Sequence, residues 1–166
     1  MQKAEFWIER LQLQPHPEGG YYRETYRSKG AYPFNEDTPF KGPRSWATSI
    51  FYLLKGSERS MLHRIHSDEI WFFHAGAPLT VHIFPGKGEP SSFTLGLPGN
   101  NHYLLQETVP AGSWFGASLE EPDENNFALV SCVVAPGFDF RDFAFAEKER
   151  LLLQFPMHSA LIEHLT

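Results

Sequence analysis

A series of short apolar and aromatic runs, separated by turn signals, fills residues 45–135 of this chain. The first runs are SWATSIFYLL, EIWFFHAG and LTVHIFP, and glycine-containing turns follow them at residues 55–56, 75–76 and 85–86. Short runs rich in β-branched and aromatic residues indicate strands, and their regular spacing is typical of a β-sandwich or barrel. The sequence therefore predicts an all-β fold.

Helical patterns flank the strand-rich region. Residues 3–13 place apolar side chains at helical spacing, which predicts an N-terminal helix that ends before Pro15. Residues 146–155 and 158–165 predict two short C-terminal helices. Because no repeat, linker or low-complexity segment divides the sequence, we expect residues 1–166 to form one domain.

The composition argues against several classes of partner. The formal net charge is −6 at pH 7, and the basic residues are scattered, which argues against a nucleic-acid or anionic membrane surface. No apolar run approaches the roughly 20 residues of a membrane helix, and the charged N-terminus is unlike a signal peptide. The single cysteine, Cys132, lies in an apolar run and is expected to be a buried thiol. These features predict a cytoplasmic protein.

Several ionisable groups lie in the segment HRIHSDEIWFFHAG, residues 63–76, within strand-like surroundings. Such groups cost free energy in a buried strand unless they are paired, ligated or used. Because side chains of a strand alternate between its faces, His63, Glu69 and Trp71 are predicted to share one interior face. On the same argument His66 points the other way.

This segment allows three interpretations. In a metal-free acid–base site, His63 moves a proton and Glu69 orients or partners it. A divalent metal site would use His63, His66 and Glu69, but only if a bulge or turn brings His66 to the same face. Regular strand alternation therefore predicts a site without a metal. In the third interpretation His63 and Glu69 form a buried, satisfied pair without chemistry.

A second polar cluster, HPEGGYYRET at residues 16–25, precedes and enters a predicted strand at residues 21–27. Its glycine pair permits unusual backbone angles or close approach to a ligand. Glu18 and Arg23 are candidates for binding a polar ligand group, since arginine offers a planar fork for carboxylate or phosphate. Tyr22 can supply a hydroxyl or a stacking face. A helix-to-strand turn with a surface ion pair is the alternative.

Tryptophans in the predicted strands are candidates for the wall of a pocket. Trp46, Trp71 and Trp114 can line an aromatic pocket in a small barrel, with core packing as the alternative for each. Arg64 is a candidate ligand contact, with a surface ion pair as the alternative. Residues 137–143, GFDFRDF, are expected to close the barrel edge or to form an interface.

These residues resemble the motifs of the cupin superfamily of small β-barrels. His63, Glu69 and Gly76 match the first histidine, the glutamate and the final glycine of the first cupin motif. Ile65 stands at the position of its second histidine, and Phe115 replaces the histidine of the second motif. The resemblance therefore implies a cupin barrel that lacks two of the usual metal ligands.

A closer resemblance covers nearly the whole chain. The segments LQLQPHPEGGYYRETYRS, MLHRIHSDEIWFFHAGAPL, VPAGSWFGA and VVAPGFDFRDF are similar in order and spacing to one uncharacterised single-domain branch of the cupins. The resemblance implies a double-stranded β-helix, or jelly-roll, barrel with short terminal helices. It also implies a homodimer and a pocket for a small molecule. The sugar-nucleotide epimerases, cupin-fold enzymes that work without a metal, are an analogy of fold.

The expected function is the binding of a small polar molecule inside the barrel. The first hypothesis is a metal-independent isomerase or epimerase acting on a sugar-nucleotide-like substrate, with His63 and Glu69 as catalytic residues. The alternatives are a metal-dependent cupin enzyme and a non-catalytic binding module with the same pocket. The expected ligand contacts are Glu18, Tyr22, Arg23, Arg64, Trp71 and Trp114.

Overall fold

Short strands dominate the part of the chain that the computed structural model describes, residues 3–99 and 102–166. These residues form three α-helices, α1 (Ala4–Leu11), α2 (Lys148–Gln154) and α3 (Ser159–Leu165). The strands are β1 (Gln14–Pro15), β2 (Tyr21–Arg27), β3 (Ala31–Tyr32), β4 (Arg44–Ser45), β5 (Thr48–Lys55), β6 (Arg59–Arg64), β7 (Asp68–Gly76), β8 (Leu79–Phe84), β9 (Ser91–Leu95), β10 (Tyr103–Leu104), β11 (Gln106–Val109), β12 (Trp114–Leu119), β13 (Phe127–Ala135) and β14 (Ala144–Phe145).

Two six-stranded sheets enclose the main core. The first sheet has the strand order β1-β2-β5-β13-β7-β11, and the second has the order β10-β9-β8-β12-β6-β14. The central pairs in both sheets are antiparallel. Buried side chains from both sheets meet in one cluster, in which Trp71 of the first sheet contacts Phe115 of the second edge to face. Closing one sheet over the other buries the apolar face of each.

The helices cover the outside of this barrel. Leu151 of α2 and Ile162 of α3 pack with Phe84 of the second sheet. Ala4 of α1 packs with Leu53 of the first sheet. The three predicted helices are therefore confirmed, each slightly shorter than its sequence pattern. Within residues 3–99 and 102–166, no helix is long and apolar enough to cross a membrane.

The segment at residues 63–76 differs from the single strand that its pattern suggested. Strand β6 ends at Arg64 and strand β7 begins at Asp68, and the two strands belong to opposite sheets. The backbone amide of Gly112 donates to the carbonyl of Ile65 (2.9 Å) and pins the turn between the strands. His63 and Glu69 are both buried even so, because the inner faces of the two sheets enclose one interior.

A buried ion pair fixes the short turn that follows β13. The Arg44 guanidinium donates to both carboxylate oxygens of Asp142, at 2.7 and 2.6 Å. The two side chains are 1% and 5% exposed. Arg44 also donates to the backbone carbonyls of residues 41–43. These bonds hold the short 3-10 turn Phe140–Asp142 in a defined place.

We expect Asp142→Asn to lower the free energy of unfolding by about 2–4 kcal/mol, because the Arg44 guanidinium would stay buried without its counter-charge. Urea unfolding of the variant and the wild type measures the loss. Asp139→Asn is the control, since Asp139 pairs with the exposed Arg141 (2.7 Å) in the same turn. A loss no larger than that of the control would contradict the assigned role of the buried pair.

Candidate functional site

A cavity of about 340 Å³ opens from the inner face of the first sheet. Its wall includes Tyr52 of β5, Trp71 of β7 and Cys132 of β13, and His63 of β6 reaches it from the second sheet. The loop between β1 and β2 adds polar side chains. The volume falls within the range typical of small-molecule sites, about 300–1,000 Å³.

The Glu18 carboxyl group makes polar contacts with two side chains of β6 at this cavity. Its Oε1 accepts a hydrogen bond from the Ser60 hydroxyl (2.8 Å), and its Oε2 lies 3.1 Å from His63 Nε2. All three residues are buried. Since a buried carboxyl group is costly without hydrogen-bond partners, these contacts explain how Glu18 is accommodated in the interior.

An irregular register in β6 lets Ser60 and His63 both reach Glu18. Phe115 of β12 pairs with His63 and Ala117 pairs with Ser60. A step of two positions along β12 therefore lies opposite a step of three positions along β6, which is a β-bulge in β6. This bulge turns two side chains of odd separation toward the same interior. Without it, strand alternation would send one of them to the opposite face.

The glycine pair allows the Glu18 loop to close against β6. Gly19 and Gly20 have φ angles of +109° and +68°, and a Cβ atom on Gly19 would collide with the Arg59 carbonyl oxygen. The Met61 amide donates to the Glu18 carbonyl (2.8 Å), which anchors the loop to the strand. Glycine is thus required both for the backbone angle and for the close approach.

The hydrogen bonds of the His63 ring define its protons. Its Nδ1 lies 2.7 Å from the Met61 carbonyl oxygen, which can only accept, so Nδ1 carries a hydrogen. Nε2 is the ring nitrogen that faces Glu18, 3.1 Å from its Oε2. The ring also packs against Phe115 and stacks on Phe143, with centroids at 4.2 and 5.2 Å. These contacts fix the orientation of the His63 ring, with Nδ1 toward Met61 and Nε2 toward Glu18.

His16 is a neutral neighbour of this pair. Its Nδ1 accepts a hydrogen bond from the Glu18 amide (3.2 Å), so the 3.5 Å approach to Glu18 Oε2 is not an ion pair. Burial lowers the pKa of the His16 imidazole, and the Glu18 charge offsets only part of this effect. The ring lies edge-on to Tyr22 at the wall of the cavity.

Glu69 carries a second buried carboxyl group in the same cavity. Burial raises its pKa to about 8, repulsion from Glu18 adds to the rise, and the neighbouring Cys132 thiol offsets a small part. Glu69 is therefore a neutral carboxylic acid near pH 7. Burial also raises the pKa of the Cys132 thiol, which confirms the expected buried thiol and keeps it protonated.

The structure brings some of the predicted site residues together and separates others. Arg23 donates to Gln12 (3.2 Å) outside the cavity wall. The Arg64 guanidinium lies 4.4 Å from the Trp114 ring, and both residues line a separate surface groove. Trp46 is exposed on another face. The cavity wall holds the remaining predicted residues, Glu18, Tyr22, His63, Glu69 and Trp71.

The residues present do not fit the metal site that the cupin resemblance raised. Ile65 and Phe115 are buried apolar side chains at the positions of two family ligands. His66, the suggested substitute, lies edge-on to Phe40, with ring centroids 6.0 Å apart, and is not part of the cavity wall. Among residues 3–99 and 102–166, no three His, Cys, Asp or Glu side chains form a group that could hold a metal ion.

Sequence reasoning missed the mouth of the cavity. Phe138, Asp139 and Phe140 line it, although the segment GFDFRDF was expected to close an edge or form an interface. The Arg27 guanidinium donates to the Phe138 carbonyl (3.1 Å) and to Glu24 (2.7 Å), which ties the mouth to β2. The density of aromatic residues in this segment was the available signal.

Comparisons with known proteins agree with this fold. Residues 5–146 match the family model described as Cupin superfamily (DUF985), and the chain belongs to this family. The uncharacterized protein YML079W of Saccharomyces cerevisiae is 36% identical over an alignment of 149 residues, with a coverage of 83% of this chain and 72% of that protein.

Two solved structures are similar over their full lengths. Protein SO0799 from Shewanella oneidensis has a TM-score of 0.87 and 38% identity, covering 100% of this chain and 98% of that chain. A hypothetical protein from Leishmania major has a TM-score of 0.88 and 38% identity, covering 99% of both chains. The predicted fold, an all-β cupin barrel with short terminal helices, is confirmed.

We expect Glu69→Gln to flatten the pH dependence of stability. Between the ordinary pKa of 4.5 and about 8, folded Glu69 keeps a proton that the unfolded chain has lost. Wild-type stability therefore falls by roughly 1 kcal/mol per pH unit as the pH rises through this window. The neutral amide of the variant does not titrate. Unfolding measured across this window should therefore show that the free energy of unfolding of the variant rises relative to that of the wild type as the pH rises. A constant difference between the two proteins would contradict the assignment.

We expect Gly19→Ala to lower the free energy of unfolding by about 2 kcal/mol or more, because alanine is strained at this φ and its Cβ would meet β6. Gly88→Ala is a matched control, since Gly88 has a φ of +103° with nothing within 4 Å of the added carbon. Equal losses in chemical denaturation would show that loop closure contributes nothing beyond the backbone strain.

Proposed function

We propose that this protein binds a small polar molecule in its barrel cavity and moves a proton on it without a metal, as an isomerase or epimerase does. One observation supports this most directly: the Glu18–His63 pair and the neutral Glu69 line the same cavity. Two carboxyl groups in one cavity can act as base and acid in one reaction when one is ionised and the other is neutral.

Glu18 is the group that takes the proton in this proposal. Both ring nitrogens of His63 already have partners within the protein, so the ring acts through Glu18 and serves as a positioning residue. The Glu18 carboxylate removes a proton from a carbon next to a carbonyl group, and Glu69 gives its proton to the carbonyl oxygen. When the enol returns to a carbonyl form, one proton goes back to carbon and the other to Glu69.

The shape of the cavity favours a substrate with a polar end and a planar end. The polar groups Glu18, His63 and Glu69 are buried, while Phe140 at the mouth is 53% exposed. A sugar fits beside the buried acid and base, and a nucleobase can stack on an exposed aromatic ring. A sugar-nucleotide-like compound therefore remains the substrate class that we propose.

A non-catalytic binding module is the second candidate. It is favoured by the completeness of the His63 and Ser60 contacts, which also satisfy a buried carboxyl group in a protein without turnover. This alternative predicts that Glu18→Gln weakens ligand binding, while the wild type exchanges no ligand protons with solvent.

The test is solvent exchange. Wild-type protein is incubated in deuterium oxide with aldoses, ketoses and sugar nucleotides, and NMR follows the loss of carbon-bound protons. We expect exchange into at least one compound, and a loss of about 100-fold or more in Glu18→Gln, since general bases contribute on the order of 100- to 10,000-fold.

Glu163→Gln is the control for this experiment, because Glu163 is exposed on α3, remote from the cavity wall. It should exchange like the wild type. Exchange that survives unchanged in Glu18→Gln would remove Glu18 as the base. Ligand binding in a thermal-shift assay without exchange into any compound would favour the binding module over the enzyme.

A further inference from the structure

Trp71, one of the residues that line the cavity, carries a buried hydrogen-bond donor without a partner in the protein. Among residues 3–99 and 102–166, the buried side-chain nitrogens without a hydrogen-bond partner are Trp7 Nε1, Arg59 Nε and Trp71 Nε1. Of these residues, Trp71 is the one that lines the cavity, and its side chain is fully buried. Buried donors without partners are rare in folded proteins and call for an explanation.

The neighbouring hydroxyl and imidazole groups already have partners in the protein. The Tyr52 hydroxyl donates to the Gly19 carbonyl (2.8 Å), and the Ser60 hydroxyl donates to Glu18 (2.8 Å). His63 bonds to Met61 and to Glu18. An indole N–H can only donate, so it requires an acceptor atom. A guest in the cavity that carries an oxygen acceptor would supply it.

Trp71 lies beside Glu69, the proposed acid. It belongs to a different sheet from the β6 residues that hold Glu18, the proposed base. It follows Glu69 by two residues on β7, so both side chains face the interior, and its direct partner on β13 is Cys132. Glu18 is held instead by Ser60 and His63 of β6, in the other sheet. An oxygen bound at Trp71 therefore sits on the wall that carries Glu69.

We propose that the Trp71 indole N–H binds the carbonyl oxygen of the substrate, and that the reacting sugar end of the substrate is an α-hydroxy aldehyde or ketone. The choice of a carbonyl among oxygen acceptors rests on the function proposed above, since the acid and base act on a carbon next to a carbonyl. Negative charge grows on this oxygen as the proton leaves carbon, so the hydrogen bond strengthens toward the transition state.

The resonance of the indole N–H tests this directly. The chain has four tryptophans, whose indole signals are assigned in a proton–nitrogen correlation spectrum through single Trp→Phe variants. The probes are two ketoses and their reduced forms: dihydroxyacetone with glycerol, and erythrulose with erythritol. We expect the Trp71 signal to move downfield with the ketoses and to stay with the polyols.

Trp7 is the matched internal control, because its indole nitrogen is equally buried and unpartnered but lies outside the cavity wall. Its signal should stay in place with every probe. If Trp71→Phe does not fold, the signal is assigned by elimination from Trp7→Phe, Trp46→Phe and Trp114→Phe. A Trp71 signal that ignores both ketoses, or that moves equally with the polyols, overturns the inference.

The variant adds a kinetic readout. Trp71→Phe keeps an aromatic ring and removes the donor, so erythrulose binding should weaken on the order of tenfold. For deuterium exchange by Trp71→Phe, kcat should fall by a larger factor than KM rises. Trp7→Phe should have the kcat and KM of the wild type. If the Trp71 signal responds to ketoses but no compound exchanges its protons, the inference about Trp71 stands and the proposed catalysis is wrong. If exchange occurs while the Trp71 signal does not move and Trp71→Phe behaves like the wild type, the proposed catalysis stands and the inference about Trp71 is wrong.

Discussion

The docking of the Glu18 loop onto β6 is the interaction on which the cavity depends. The Met61 amide and the Ser60 hydroxyl hold the backbone and the carboxyl group of Glu18, and His63 completes the contact. A carboxyl group this far from water is tolerated only where such partners are in place. The same contact sets the charge environment of His16 and Glu69, because Glu18 influences the protonation of both.

The chain accommodates its buried ionisable groups by keeping some of them neutral and by pairing others. Glu69 is neutral as an acid, His16 is neutral as a base, and Glu18 is paired with His63 and Ser60. Burying several like charges together would be costly, and this arrangement avoids most of that cost. The result is a cavity whose lining residues include a neutral acid, a hydrogen-bonded carboxyl group and an indole N–H without a partner.

Much of the fold was predictable, because strand runs, turn signals and terminal helices are local patterns. The site was only partly predictable. Alternation is a property of one regular strand, and it could not reveal that residues 63–76 form two strands or that β6 carries a bulge. The partnership of Glu18 with His63 joins a loop to a strand far along the chain, and no local pattern encodes it.

The position of Trp114 and Arg64 outside the cavity has a simpler origin. In β12 the side chain of Phe115 faces the core, so that of its neighbour Trp114 faces outward, where it meets Arg64. The cupin frame already placed Phe115 at an inward ligand position. Combining that frame with strand alternation would have excluded Trp114 from the cavity.

The three-residue turn at residues 65–67 makes the spacing of the site sensitive to chain length. The turn is tied at both ends, by the Gly112 amide on Ile65 and by the Ser67 hydroxyl on the Pro136 carbonyl (2.6 Å). An insertion of one residue that was passed on to the pairing of β7 would shift this strand by one position and turn Glu69 and Trp71 outward together. Such a shift would remove the acid and the donor from the cavity in a single event, whereas a change of length at the exposed residues 86–89 lies outside β7 and would leave both in place.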